Sequence, residues 1–296
     1  MSVSQKNAIK EYSASILFIL PSFILLLLFV VQPTINTVLI SFYEWNGINP
    51  TMEFVGLDNY RAVFSDPVFH RSITNNFIWM MMHLIFACLF GFIIAYIVSR
   101  VRVGRAIFRN VLFLPYIIAL AISAVIWSLI YHPHIGLLNS LLEIMGLPGL
   151  RRAWLGDPVI TIYAVSIASS WQAYGYYMTL FLAGIQNVDV ELYDAASIDG
   201  AGKIKQLIHV TIPGLRNVFT FVVSMGIIAG LRGFATVWIM TRGGPGTSSY
   251  LLTLYGFVKA FVEQNFGQSM VSGLTLALMI VVIIFTFNHI RERYAD

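Results

Sequence analysis

The chain has 296 residues, of which 58% are hydrophobic and only 11% are charged, and its formal net charge at neutral pH is +4. Soluble globular domains carry about 25% charged residues, so this composition excludes a water-soluble fold and indicates a membrane protein. A basic balance in a soluble protein would suggest nucleic acid, but basic cytoplasmic loops explain it in a membrane protein, so no nucleic-acid partner is expected.

The first predicted membrane helix covers approximately residues 13–40. Lys6 and Lys10 precede it, as in a signal peptide. The apolar run is far longer than the hydrophobic region of a signal peptide, and no small-residue cleavage site follows it. We therefore expect a retained helix, kinked at Pro21 and Pro33, because an internal proline removes a backbone hydrogen bond.

Five further segments reach the roughly 20 mostly apolar residues that a spanning helix needs. They lie at approximately 77–98, 107–131, 158–184, 217–241 and 269–290. No spacer rich in Ser, Pro or Gly divides the chain. The prediction is an all-α membrane protein with six transmembrane helices in a single transmembrane domain, residues 1–296.

Loop charges predict the orientation of these helices, because cytoplasmic loops hold the excess of Lys and Arg. The termini and the loops 99–110 and 185–216 carry eleven such residues: Lys6, Lys10, Arg100, Arg102, Arg105, Arg109, Lys203, Lys205, Arg216, Arg291 and Arg293. The opposite side carries six: Arg61, Arg71, Arg151, Arg152, Arg242 and Lys259. Both termini are therefore predicted to be cytoplasmic.

The loop 185–216 between the fourth and fifth spans contains the stretch DAASIDGAGKIKQLIHVTIPGLR. It predicts a helix with Asp189 or Asp194 near its start, where a negative side chain complements the helix dipole. Gly200 breaks this helix, and Pro213 ends the next one. The second helix is predicted to be amphipathic, with an apolar face formed by Ile204, Leu207, Ile208 and Ile212.

The small side chains of AASIDGAG allow close backbone approach, which favours a docking surface. A helix lying on lipid is the alternative, but lipid-binding helices favour large apolar residues. The string GAGK is not a phosphate loop, because Ser197 and Ile204 occupy the positions that require Gly and a hydroxyl residue. His132 and His134 lack further metal ligands. We therefore predict no catalytic residue, no metal site and no cofactor in this chain.

The segment LYDAASIDGAGKIKQLIHVTIPGL resembles the signature loop of permease subunits of binding-protein-dependent ABC importers. The pattern of that loop is Glu-Ala-Ala, three residues, Gly, nine residues, then Ile-x-Leu-Pro. It is matched by Asp194, Ala195, Ala196, Gly200, Val210, Ile212 and Pro213, and Asp199, Gly200 and Ala201 follow the DGA of the carbohydrate branch. The departures are Asp194 for Glu, Val210 for Ile and Ile212 for Leu. Outer blocks beginning at Phe54 (FVGLDNY) and Met240 (MTRGGPG) are similar to the same subfamily.

The resemblance implies a type I importer fold in the sugar and glycerol-phosphate permease subfamily, in a bacterial or archaeal cytoplasmic membrane. It implies that loop 185–216 forms a cytoplasmic coupling helix seated on an ATPase subunit. The implied partners are a second homologous permease, two ATPase subunits that bind ATP and Mg, an extracytoplasmic solute-binding protein and a saccharide. A glycerol-phosphate or polyol importer is the alternative. A stand-alone secondary transporter is disfavoured because the six spans contain no carboxylate.

The resemblance also implies substrate contacts on the helices that flank the coupling loop. The matching positions are Ser169, Ala173 and Tyr176 in the fourth span, and Gly226, Ala229, Gly230 and Gly233 in the fifth. Their spacing places each set on one helix face. Close packing through the small residues Gly226 and Gly230 is the alternative interpretation. Arg232 is the one charge predicted within a span, and it faces either the partner permease, a carbonyl or an anionic substrate group.

Overall fold

The computed structural model describes residues 17–101 and 103–293, so the predicted residues 13–16, Lys6, Lys10 and Arg102 lie outside the described chain. The described chain is mostly helical, with one short antiparallel pair formed by β1 (Tyr43–Glu44) and β2 (Glu53–Phe54). Its contacts define two compact units, namely Met1–Phe64 with Gly256–Leu274, and Ser65–Tyr255 with Thr275–Asp296.

The longest connections between the helices are residues 41–57 and 145–160. In chain order the helices are α1 (Leu17–Ile40), α2 (Asp58–Ser65), α3 (Pro67–Ser99), α4 (Arg105–Ile117), α5 (Leu120–Ile130), α6 (Leu137–Ile144), α7 (Thr161–Gln186), α8 (Val190–Ile198), α9 (residues 203–214), α10 (Arg216–Leu231), α11 (Ala235–Met240), α12 (Leu252–Phe261) and α13 (Phe266–Arg293). A 3₁₀ turn covers Pro148–Leu150. Wider π-helical turns interrupt α1, α3 and α9 at Leu27–Val31, Leu84–Leu89 and Leu207–Thr211.

Four helical segments of the described chain are long and apolar enough to cross a membrane: Leu17–Ile40, Pro67–Ser99, Arg216–Met240 and Phe266–Arg293. The third predicted span, 107–131, is not one helix but the pair α4 and α5, which are bent by 92°. Ile118 and Ala119 at the bend are extended. The amide of Gln172 donates to the Ile118 carbonyl at 2.7 Å, so the interrupted backbone keeps a partner.

The fourth predicted span, 158–184, corresponds to α7, which has 26 residues. Its Tyr, Ser and Gln residues lower its hydropathy, and it is not among the four most apolar segments. Half or more of its residues are buried, and it packs against α3, α4, α5, α10 and α11. Because protein surrounds α7 on most sides, a lipid-like composition is not required there. It is the central helix of the second unit.

Close packing joins α3, α7 and α10 around Phe92, Phe181 and Phe219, whose ring centroids lie 4.8–5.2 Å apart. Lipid is as apolar as these side chains, so shape complementarity rather than the hydrophobic effect holds such helices together. A Cβ on Gly91 of α3 would lie 3.0 Å from backbone atoms of Met178 on α7. Glycine therefore permits the close approach of these two helices.

Two buried asparagines of α3 fix the ends of other helices in the second unit. The Asn76 amide donates to the Leu231 carbonyl at 2.8 Å and accepts from the Leu252 N–H at 2.7 Å. The Asn75 amide donates to the carbonyls of Ser248 and Tyr250 at 2.9 and 2.8 Å. Leaving one such buried group unpaired costs about 1–3 kcal/mol, so these bonds set where α10 ends and α12 begins.

In the first unit, the loop after α1 is held against the start of α13. The Asn59 amide donates to the carbonyls of Ser41 and Tyr43 at 3.0 and 2.9 Å. The Phe266 N–H donates to the Trp45 carbonyl at 2.9 Å, and the two rings lie 5.3 Å apart. These bonds satisfy backbone groups of an irregular segment that would otherwise be unpaired.

Candidate functional site

The predicted docking helix is α8, and it begins as the sequence indicates. The Asp189 carboxylate accepts from the Glu191 N–H at 2.9 Å and caps the helix. Of the two candidates for the start, Asp189 is therefore the cap, and Asp194 lies exposed in the middle of α8. None of the α8 residues is buried in the described chain. The helix thus presents most of its surface for contact, apart from the side on which Tyr193 is half-buried.

The end of α8 is a glycine turn at Gly200, whose φ is +74°. The Ala201 N–H donates to the Ala196 carbonyl at 2.8 Å, and the Asp199 N–H donates to the Ala195 carbonyl at 3.0 Å. This pattern is typical of a helix ended by a left-handed glycine. A Cβ on Gly200 would meet no described atom within 4 Å. The tip of the loop is therefore open, and it carries the predicted Asp194, Ala195, Ala196, Asp199, Gly200 and Ala201.

Gln206 was not predicted from the sequence, and it is only 9% exposed and joins α9 to α8. Its amide nitrogen donates to the Ser197 hydroxyl at 2.9 Å and to the Ala201 carbonyl at 3.2 Å. Its amide oxygen accepts at 3.5 Å from Arg100, the residue that follows α3. No signal in the sequence marks this residue, because a single Gln between Lys205 and an apolar run is typical of a solvent-exposed side chain.

The predicted apolar face of α9 is wrong in part. Ile204, Ile208 and Ile212 are exposed, and the supporting face contains Gln206 and Thr211 instead, with Leu207 and Val210 partly buried. The Thr211 and Tyr193 hydroxyls share a hydrogen bond of 2.9 Å, which connects α9 to α8. Helical periodicity alone could not show that polar contacts would decide which face is covered.

Pro213 does not stop α9, because the helix continues through Gly214 and turns at Leu215. Proline lacks the N–H that would pair with the turn before it, and the ladder widens to a π turn in which the Ile212 N–H donates to the Leu207 carbonyl. Leu215 is fully buried and α10 begins at the next residue. Pro213 thus lies at the exposed junction between α9 and the predicted fifth span.

The base of this loop is fixed to the helix bundle. A Cβ on Gly184 of α7 would lie 2.7 Å from the Leu215 side chain and 2.8 Å from that of Val218. The Tyr96 hydroxyl of α3 donates to the Lys203 carbonyl at 3.0 Å. Because the loop is packed closely against these helices, a displacement of the loop is expected to move α3, α7 or α10 with it.

A second feature is an open cavity of about 700 Å³ within the second unit. Among the predicted substrate positions, Ser169, Ala173, Ala229, Arg232 and Gly233 line it. Several other residues that were not predicted from the sequence also line the cavity, and they include Trp79, His83, Tyr116, Gln172, Phe234 and Thr236. The cavity lies where α4 and α5 bend and where α10 breaks before α11, so the irregular backbone surrounds an open space rather than facing lipid.

The predicted positions Gly226 and Gly230 are packing residues of α10. A Cβ on Gly226 would lie 2.6 Å from the Cys88 sulfur, and one on Gly230 would lie 2.9 Å from the Met80 Cα. This is the small-residue packing that the sequence left open as an alternative. Tyr176 stacks at 5.3 Å and 21° on Tyr116, which itself lines the cavity.

Arg232 lies at the break between α10 and α11, where its N–H donates to the Ala229 carbonyl at 3.3 Å. Its side chain is exposed at the cavity wall, and the described lining residues include no carboxylate. His83 is buried there, and its Nε2 lies 3.0 Å from the Tyr177 hydroxyl. In the described ranges, no three His, Cys, Asp or Glu residues are grouped as they would be at a metal site.

The fold is that of a membrane transport subunit with an exposed helix, α8, between its fourth and fifth predicted spans. Residues 87–295 match the family model of the binding-protein-dependent transport system inner membrane component, and the chain belongs to that family. It is 36% identical over 277 residues to the probable ABC transporter permease protein YurN of Bacillus subtilis, covering 93% of this chain and 94% of that one.

Two further similarities concern named substrates of other proteins. The chain is 30% identical to the trehalose/maltose transport system permease protein MalF of Thermococcus litoralis, covering 98% and 97% of the two chains. It also shares its fold, with a TM-score of 0.85 and 21% identity, with the crystal structure of a bacterial ABC transporter involved in the import of alginate, an acidic polysaccharide. That match covers 99% of this chain and 100% of the other.

Proposed function

We propose that this chain is the permease subunit of an ATP-driven importer for sugars or oligosaccharides in a bacterial or archaeal cytoplasmic membrane. Its membership of the binding-protein-dependent inner membrane family supports a transport role rather than an enzymatic one. Relatives of similar length are permeases for trehalose and maltose, for lactose and for diacetylchitobiose. Their shared chemistry, a neutral hydroxyl-rich substrate, supports the substrate class.

In this proposal, residues 1–296 form one transmembrane domain that crosses the membrane six times with both termini in the cytoplasm. The four most apolar segments are joined by α7 and by the bent pair α4 and α5. The excess of Lys and Arg in the loops 99–110 and 185–216 supports their cytoplasmic position. The cavity beside the bend then lies within the membrane region.

The observation that carries the proposal is the construction of the loop 185–216. Its outer helix α8 has no buried residue, whereas its base is fixed by Gln206, Thr211 and Leu215. A helix that transmits force needs an exposed contact surface and a stiff connection to the helices that move. We infer that α8 docks onto one of two ATPase subunits, which bind ATP and Mg, and that a second homologous permease completes the translocation path.

We infer that the substrate path runs through the cavity. Its aromatic residues Trp79, Tyr116 and Phe234 can stack on sugar rings, and Gln172 and Thr236 supply hydrogen-bonding groups. Ser169, Ala173, Ala229 and Gly233 keep it wide, and Tyr176 adds a second ring behind Tyr116. Arg232 provides the one positive charge on the described lining, where it can meet an anionic substrate group or a carbonyl of the partner permease.

The test is reconstitution of the complex in lipid vesicles with its second permease, its ATPases and its solute-binding protein. We expect the binding protein to stimulate ATP hydrolysis only when it carries its saccharide, and uptake to require ATP. The panel contains neutral and acidic oligosaccharides, glycerol phosphate and polyols. Stimulation by glycerol phosphate or a polyol alone would favour that importer class, and uptake driven by an ion gradient without ATP would refute the proposal.

The path is tested by filling the cavity. Ala229→Trp places an indole in it and is expected to reduce sugar uptake to near background while the complex still assembles. Ala183→Trp on α7 is the matched control, because Ala183 is exposed and lies outside the described cavity lining. Radiolabelled uptake measures both. Equal uptake by the two variants would place the path elsewhere.

A further inference from the structure

We propose that Arg100 and Arg105 form a binding site for the phosphate group of an anionic phospholipid, directly beside the docking helix α8. The inference rests on the proposed cytoplasmic position of this face and adds a ligand that the import function does not require. The site is an open cavity of about 320 Å³ where α3, α4, α7 and α8 meet.

The lining carries two guanidinium groups and no carboxylate among the described residues. Arg100 donates to the Tyr96 hydroxyl at 3.3 Å and to Gln206 at 3.5 Å, and it lies over the rings of Tyr96 and Tyr193 at 5.1 and 5.5 Å. All of these partners are neutral. They orient the guanidinium without cancelling its charge, so the positive potential of the cavity persists.

Arg105 supplies the second guanidinium of the lining, and its side chain is half-buried at the cavity wall. A phosphate oxygen is the acceptor that a guanidinium binds best, often through two parallel hydrogen bonds.

The backbone adds to the positive potential. Arg105 is the first residue of α4, a helix of 13 residues, and the preceding Gly104 has φ +75° and no side chain to cap it. The first N–H groups of such a helix remain free and point toward an anion. Two arginine side chains thus line one small cavity, and one of them is the first residue of α4.

The surroundings favour a lipid over a soluble phosphate. The cavity lies at the ends of two membrane helices, α3 at Ser99 and α7 at Gln186. Along α4, the residues after the site are apolar and exposed, namely Ile107, Phe108 and Val111. The acyl chains of a lipid would contact that surface, whereas a soluble anion has no apolar part that could do so. The cytoplasmic leaflet supplies anionic headgroups.

A phospholipid here would act on coupling, because Tyr193 and Val190 of α8 line the same cavity. The headgroup would fill the gap between α8 and the bundle and would reduce movement of α8 relative to α3. Coupling between the ATPases and the membrane helices would then depend on the lipid composition.

The experiment is native mass spectrometry of the full-length chain purified in detergent, with phosphatidylglycerol, phosphatidylcholine or inorganic phosphate added. We expect retention of phosphatidylglycerol and about tenfold weaker retention in Arg105→Gln, the loss that removing one charged hydrogen bond predicts. Arg109→Gln is the control, because it removes the same charge one turn further along α4, outside the described lining.

Equal loss in Arg105→Gln and Arg109→Gln would show diffuse attraction and would overturn the proposal. So would equal retention of phosphatidylcholine, or inorganic phosphate that displaces the lipid at equal concentration. The outcome is independent of import, because no ATPase takes part. A Gly200→Trp chain, altered at the proposed docking tip, is expected to retain phosphatidylglycerol as the unaltered chain does.

Discussion

Two short helices, α6 and α8, are built alike at opposite ends of the central helix α7, which is about 40 Å long. Each ends in a left-handed glycine, Gly146 with φ +73° and Gly200 with φ +74°. In each, the following N–H donates five residues back at 2.8 Å. Each is also held by one buried amide, which belongs to Asn139 within α6 and to Gln206 of the neighbouring α9 in the case of α8.

The two helices differ in what they present. Around α6 the exposed residues are large and apolar, with Leu141, Ile144 and Met145 on the surface. Around α8 the exposed residues near the turn are small, with Ala195, Ser197 and Asp199 leading to an open glycine, whereas Val190, Leu192 and Ile198 are large, apolar and also exposed. The same turn thus supports two surfaces. The proposed docking role of α8 therefore depends on the small side chains near its tip rather than on the turn itself.

The largest difference is expected from a bulky residue at the two glycines. Gly200→Trp and Gly146→Trp both force a side chain into a left-handed backbone, at a cost of about 1–2 kcal/mol each. A Cβ has open space at both positions. We expect Gly200→Trp to abolish sugar uptake, because the indole occupies the proposed ATPase contact, and Gly146→Trp to retain most of it.

Uptake into vesicles and copurification of the ATPases measure this pair. The thermal unfolding midpoints of the two variants should agree, since both pay the same backbone cost. Normal uptake by Gly200→Trp would remove α8 as the docking site. Loss of uptake by both variants with normal ATPase binding would assign the effect to the turn itself.

A smaller effect is expected from the buried amides. Asn139 donates to the carbonyls of Pro133 and Arg152 at 3.0 and 2.9 Å, and Gln206 donates to the Ser197 hydroxyl and the Ala201 carbonyl at 2.9 and 3.2 Å. Replacing either by Ala should cost about 1–3 kcal/mol of stability. Gln206→Ala should also lower the number of sugars carried per ATP, because α8 loses its stiff support. An unchanged ratio in Gln206→Ala would show that stiffness there is unimportant.

The sequence predicted those features of the fold that depend on residues close together in the chain. Apolar run length marks the membrane helices, Gly200 marks the break after α8, and Asp189 is one of the two residues predicted near its start. It could not predict the role of Gln206, because the side-chain oxygen of Gln206 accepts a hydrogen bond from Arg100, which lies 106 residues away in the chain. Periodicity instead selected Ile204 and Ile208, which are exposed.

The lining of the cavity also depends on contacts between residues that are distant in the sequence. The family resemblance selected Ala229 and Gly233, which line the cavity, and also Gly226 and Gly230, which pack on α3. Whether a small residue packs or lines a space depends on the neighbouring helix. The bend between α4 and α5 also escaped prediction, because the apolar run continues through Ile118 and Ala119 without a polar residue.

The smallest predicted effects are losses of stability when single polar side chains of the two helices are replaced. Asp189 caps α8 with a side-chain hydrogen bond, whereas α6 begins at Gly136 without one. Asp189→Ala should cost about 1 kcal/mol, and Asp189→Asn should cost little, because an amide oxygen can still accept from the Glu191 N–H. On α6, Glu143→Gln removes the exposed pair with Arg151 and should cost well under about 1 kcal/mol. Thermal unfolding ranks the three. An Asp189→Asn variant as unstable as Asp189→Ala would mean that the negative charge, rather than the cap bond, stabilises the start of α8.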